Sequence, residues 1–124
     1  MRAIFKTFLI TIFLSHLLIS CTNKNHEQVH VFEIKEIQLE ANNDYKNPYK
    51  EAECWVELSG PDFKKKIYGF WNGENKFVFR LVATSPGLWS WKSFSNVNDE
   101  GLSGKAGSFV AVQWSEDEIS KNPN

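Results

Sequence analysis

From Val29 onward, apolar and polar residues alternate with a period of two, as they do in strands that bury one face. Val29, Val31, Ile37, Leu39 and Ala41 share one parity, while Phe32 and Ile34 fall on the other. That slip predicts a bulge, or two short strands joined by a kink near Lys35-Glu36. Asn42 to Lys50 is rich in turn formers and reads as a loop carrying Tyr45 and Tyr49. Glu51 to Ser59 alternates cleanly, with Ala52, Cys54, Val56 and Leu58 on one face and Glu51, Glu53, Trp55 and Glu57 on the other. Gly60-Pro61-Asp62 ends that strand. Lys65 to Trp71 and Lys76 to Ala83 flank a turn built on Asn72-Gly73, a dipeptide suited to the positive φ of a tight hairpin. Phe77, Phe79, Leu81 and Ala83 share one face of the second arm, and Val78, Arg80 and Val82 the other. Ser85-Pro86-Gly87 turns the chain into Leu88 to Phe94, where Trp89 and Trp91 lie on one face. Asn96 to Gly104 is polar loop, and Gly107 to Trp114 is a last strand with Phe109 and either Ala111 or Val112 facing in. No ten-residue stretch of this region has a helical period. The pattern predicts an all-β fold, a two-layer antiparallel β-sandwich of immunoglobulin type with about seven strands over residues 29–114.

The ends read differently. Arg2 and Lys6 precede a mainly apolar run from Thr7 to Ile19, too short for the roughly 20 residues of a membrane span and suited to a signal-peptide core. Leu18-Ile19-Ser20-Cys21 resembles a bacterial lipobox, in which the Cys is lipidated and becomes the new N-terminus. Residues 1–20 are then the signal peptide. Residues 21–28 are a lipidated tether, holding the domain to a membrane of the bacterial envelope through Cys21. Thr22-Asn23-Lys24-Asn25 lacks an acidic cluster, so the periplasmic and outer-membrane faces both stay open. At the other end, Ser115 to Asn124 turns acidic and polar and reads as a linker or truncated junction.

Charge and composition narrow the chemistry. The 124 residues carry 14 Lys or Arg against 15 Asp or Glu, a formal charge of −1, so no basic surplus serves a nucleic-acid binder. Loss of Arg2 and Lys6 with the signal peptide would take that charge to −3. Once Cys21 is lipidated, Cys54 has no disulfide partner, and its place in the alternation makes it a core residue. No Cys/His cluster offers a metal site, no phosphate loop follows a strand, and no cofactor is expected. The carboxyls lie on outward strand positions or in solvated loops, rather than paired across a cleft as glycoside hydrolysis requires. The Lys64-Lys65-Lys66 run suits an edge strand protected from sheet-to-sheet association, with acidic glycans as the alternative contact.

Several motifs stand in a familiar order: Asn47-Pro48-Tyr49, Gly60-Pro61, Gly69-Phe70-Trp71-Asn72-Gly73, Arg80, Pro86-Gly87-Leu88-Trp89-Ser90-Trp91, Gly101-Leu102-Ser103-Gly104 and Gly107-Ser108-Phe109. This arrangement resembles the N-terminal immunoglobulin-like domain, of unknown function, that precedes the TIM-barrel of bacterial secreted glycoside hydrolases. The resemblance runs from about Val29 to Val112. It implies a non-catalytic accessory module, not an enzyme, which packs against or positions a glycoside hydrolase domain absent from this chain. The alternative is a free-standing surface module that binds polysaccharide or an extracellular-matrix protein. Trp55, Trp71, Arg80 and Trp89 are the candidate carbohydrate or domain-interface contacts, because pyranose faces stack on exposed rings. Trp55 leads, since it shares a strand face with Glu53 and Glu57; Arg80 is either an exposed sheet residue or pairs a carboxylate such as Glu57 or Asp62 at an interface.

Overall fold

The computed structural model describes residues 24–122. In chain order these form β1 (Glu27–His30), β2 (Ile34–Glu40), α1 (Pro48–Glu51), β3 (Cys54–Gly60), β4 (Phe63–Tyr68), β5 (Phe70–Trp71), β6 (Lys76–Val82), β7 (Gly87–Ser95), β8 (Ala106–Val112) and α2 (Glu116–Lys121). Two sheets, ordered β1-β8-β7-β3-β4 and β2-β6-β5, face each other as the expected all-β sandwich. The eight described strands agree with the expected number of about seven, and the chain changes sheet twice along the way. The proposed signal peptide and Cys21 lie outside the described residues.

The first change explains the parity slip. The chain leaves β1, turns through Val31–Glu33 and enters the other sheet at Ile34. Phe32 takes φ 66°, a left-handed conformation rare for a bulky residue. The break therefore falls before Lys35-Glu36. It also leaves β1 free to run parallel to β8, Val29 opposite Ala111, in an otherwise antiparallel sheet. The second change divides the expected arm Lys65 to Trp71. Its first part, β4, pairs with β3 across a Pro61-Asp62 turn, while β5 pairs with β6. Gly69 lies between them, and a Cβ there would stand 2.5 Å from the Phe79 ring. Only glycine lets the backbone cross this close to the core. In the following turn the positive φ angles belong to Gly73 and Glu74, one residue later than the Asn72-Gly73 turn predicts.

The core is aromatic. Trp89, Phe77, Phe79 and Phe109 are fully buried with Val56, Leu58, Leu81 and Leu102. Trp89 lies nearly parallel to Phe109, with centroids 6.5 Å apart, and tilted against Phe63 at 5.2 Å. Its indole N–H donates to the Ser85 carbonyl at 2.9 Å, so the buried ring leaves no donor unpaired. Each ring of this size contributes about 2–3 kcal/mol on burial, which a small domain without a disulfide depends on. Ala111, not Val112, faces in beside Phe109.

The edges are charged. Lys64, Lys65 and Lys66 lie on β4, the edge of the larger sheet, and all three are exposed. Lys35 has the inward parity of Ile37 and Leu39 on edge strand β2, with its ammonium 2.6 Å from Glu27. Both devices hinder pairing with a second sheet.

The C-terminal tail is more ordered than a linker. Ser115 caps α2: its hydroxyl accepts from the Glu118 N–H, and the Glu118 carboxylate accepts from the Ser115 N–H at 2.8 Å. This Ser-x-x-Glu capping box was present in the sequence, but a six-residue helix is too short to show a period. The single-turn α1 likewise takes the end of the predicted loop Asn42 to Lys50 and Glu51 of the predicted strand Glu51 to Ser59, so that β3 begins only at Cys54. No helix among the described residues is long and apolar enough to cross a membrane.

Candidate functional site

Strand register lays out the outer face of the larger sheet in rows. Trp55 stands opposite both Tyr68 of β4 and Phe94 of β7, so three rings from three strands form one line. Trp55 and Phe94 are nearly parallel at 6.2 Å between centroids, and Tyr68 is tilted at the same distance on the other side. Lys66 holds its ammonium over two of them, 4.0 Å from the Trp55 centroid and 4.6 Å from that of Tyr68. Lys92 lies 5.6 Å from Phe94. Trp55 is half-buried among these neighbours, Tyr68 is 53% exposed, and the row faces solvent. Sequence reasoning found Trp55 and its strand neighbours Glu53 and Glu57; it missed Tyr68 and Phe94, which only strand pairing brings alongside.

Beyond the row, Glu53 and Asn96 are joined by two hydrogen bonds, 2.8 Å from the Glu53 N–H to the Asn96 side chain and 3.0 Å from the Asn96 N–H to the Glu53 carbonyl. They line a cleft of about 350 Å³ with Tyr49, Lys50, Phe70 and Trp71 among its walls. Trp71 is 39% exposed there, its indole N–H fixed on the Glu74 carbonyl at 2.7 Å. Three exposed rings, Tyr49, Phe70 and Trp71, in one cleft with Glu53 and Asn96 make a mixed surface of the kind that holds a small polar ligand with apolar faces.

Trp89 is placed otherwise than expected, and Arg80 pairs a carboxylate other than the two named. Trp89 has no accessible surface and serves the core, because its parity points between the sheets. Arg80 lies on β6 of the smaller sheet, opposite Glu36 of β2, and bonds it at 2.8 Å; Glu57 and Asp62 belong to the other sheet side of the molecule. Its guanidinium also covers Phe70 at 5.1 Å. This exposed pair is worth little in energy and leaves Arg80 on the surface.

The reactive groups are otherwise engaged. Asp99 is the one buried carboxylate among the described residues. Its two oxygens accept from the N–H groups of Asn42, Asn43 and Gly101 and from the Tyr45 hydroxyl, at 2.7 to 3.0 Å. Burial pushes its pKa up, but these donors outweigh it and hold the carboxyl below its ordinary value. Burial foremost, with the Asp99 bond behind it, raises Tyr45. Burial, with the Glu53 charge adding, pushes the Cys54 thiol up to about 12, so it stays protonated and inert. No group of three His, Cys, Asp or Glu side chains among the described residues is disposed to hold a metal ion.

At the opposite end of β1, His30 stacks on Trp114 with ring centroids 3.9 Å apart. Its Nε2 lies 3.0 Å from Glu118 and its Nδ1 3.3 Å from Glu33, while the Trp114 indole donates to the Val31 carbonyl. Bonds from the Ser115 backbone and hydroxyl, with His30 beside it, hold Glu118 below the ordinary carboxylate value. These contacts seat α2 against the sandwich.

The family model for a domain of unknown function, DUF5060, matches residues 28–96. A crystal structure of a protein described as a candidate glycoside hydrolase from Bacteroides vulgatus shares the fold, with a TM-score of 0.64 and 21% identity. The alignment covers 73% of this chain and 17% of that one, so this chain spans only a small part of that protein's length. No curated protein matches the chain. With more than half of its residues under the family model, the chain belongs to the DUF5060 family.

Proposed function

We propose that this domain is a non-catalytic accessory module of a carbohydrate-degrading protein, packing against or positioning a glycoside hydrolase domain that lies outside these 124 residues. One observation carries the reading: the fold recurs as 17% of a larger chain described as a candidate glycoside hydrolase, leaving most of that chain for other work. The engaged state of Asp99 and Cys54 supports it, since neither is free to act as acid, base or nucleophile. In this reading the sandwich is immunoglobulin-like and Cys21 carries lipid that keeps it at a bacterial envelope membrane, on the periplasmic or outer-membrane face. Reading the genomic DNA after the Asn124 codon tests it, followed by co-expression of any barrel-encoding frame found there. The expected result is co-elution of the two products in gel filtration. An isolated gene, or two products that elute apart, would count against it.

A second reading is favoured by the aromatic row Tyr68–Trp55–Phe94: a surface module that binds polysaccharide. The two readings are compatible, since an accessory domain that grips a polymer also brings its catalytic partner to it.

A further inference from the structure

We infer that the outer face of the five-stranded sheet is a binding surface for an anionic polysaccharide, a chain bearing uronate carboxylates; this rests on the polysaccharide-binding reading. The register defines three successive rows on that face. The first is Tyr68–Trp55–Phe94, about two strand spacings or roughly 10 Å long. The second is Lys66–Glu57–Lys92, continued by Ala106, and the third is Lys64–Ser59–Ser90, continued by Ser108. Small residues at Ala106, Ser59, Ser90 and Ser108 keep the second and third rows low. Rings and ammonium groups therefore stand out from an otherwise flat floor, as an extended polymer requires.

Charge decides the class of polymer. Three lysines face one glutamate across these rows, although the mature chain as a whole would be acidic. Glu57 has Lys66 opposite on one side and Lys92 on the other, yet neither lies within salt-bridge distance of it among the described ion pairs. Both ammoniums lie over rings instead. An exposed cation–π contact is weak, so these charges remain available to a stronger partner. A pyranose stacked on Trp55 would carry its carboxylate to ammonium height, where a charge-assisted hydrogen bond replaces the contact with the ring. A neutral sugar would have to displace the lysines with nothing in return.

Affinity gel electrophoresis of the full chain, extracted in mild detergent, tests this with polygalacturonate, alginate and hyaluronan, each beside its carboxyl-reduced neutral form. The expected result is retardation by at least one polyuronate, weakened about tenfold in Trp55→Ala and in the Lys66→Gln/Lys92→Gln double variant. Retardation should also be lost in about 1 M salt, where charges are screened within a few ångströms. Lys66 and Lys92 touch no core residue through their charges, so the double variant should keep the wild-type melting curve and isolates binding from folding. Equal retardation by the reduced polymers would overturn the anionic assignment while leaving polysaccharide binding in place. Retardation by none, or retardation indifferent to both variants, would overturn the surface itself; the accessory reading is judged separately by co-elution.

Discussion

Asp99 shows what a single side chain does in this fold. It gathers Asn42, Asn43 and Tyr45 from one loop and Gly101 from its own, closing one end of the sandwich. Replacing it with Asn turns one accepting oxygen into a donor facing N–H and O–H groups, and should cost about 2–4 kcal/mol, read from the melting temperature. Because the folded carboxyl sits below its ordinary value of 3.8, its stabilisation is complete above that pH and is lost as pH falls through the lower folded value. The gap in melting temperature between wild type and Asp99→Asn should therefore start to narrow as pH falls below 3.8 and keep narrowing towards the lower folded value. Parallel acid limbs for the two proteins would contradict this role. Nothing in the sequence separated Asp99 from Asp44 or Asp62, since all three lie among turn residues and only Asp99's distant partners, 54 to 57 positions away, distinguish it. Trp55 was legible because an aromatic on the outward parity of a clean strand is conspicuous; Trp89 was not, because the period shows that it shares a face with Trp91 without telling which face of the strand is buried.

At the level of elements, alternation located the strands but not the sheet each one joins. A strand's period tells which residues share a face, and it is blind to the partner across the hydrogen bonds. The two sheet changes, at Val31–Glu33 and at Gly69, were accordingly read as a kink and as nothing at all. Gly69→Ala tests the second: a methyl pressed into Phe79 should destabilise by about 1–3 kcal/mol in denaturant unfolding. A variant as stable as wild type would mean the crossing is looser than the geometry requires. The tail offers a parallel case. Ser115→Ala removes the α2 cap, worth about 1 kcal/mol, and amide exchange at Ile119 and Asn122 should speed up about fivefold while that of β3 stays fixed. Unchanged exchange at those two amides would show that Trp114 and His30 hold α2 without its cap.

The molecule as a whole joins an aromatic core, charged edges and one flat outer face, and its fold class followed from the sequence because every strand obeyed the same period. What lies against its surface is a different matter, since no local pattern encodes it. On the function proposed above, the claim at stake is that this domain serves as a non-catalytic module and does not itself cut a carbohydrate polymer. Incubating the purified chain with a panel of polysaccharides, neutral and anionic, and measuring newly formed reducing ends tests that claim most directly. No release above a heat-inactivated control is expected. Release that depends on the folded protein would contradict it.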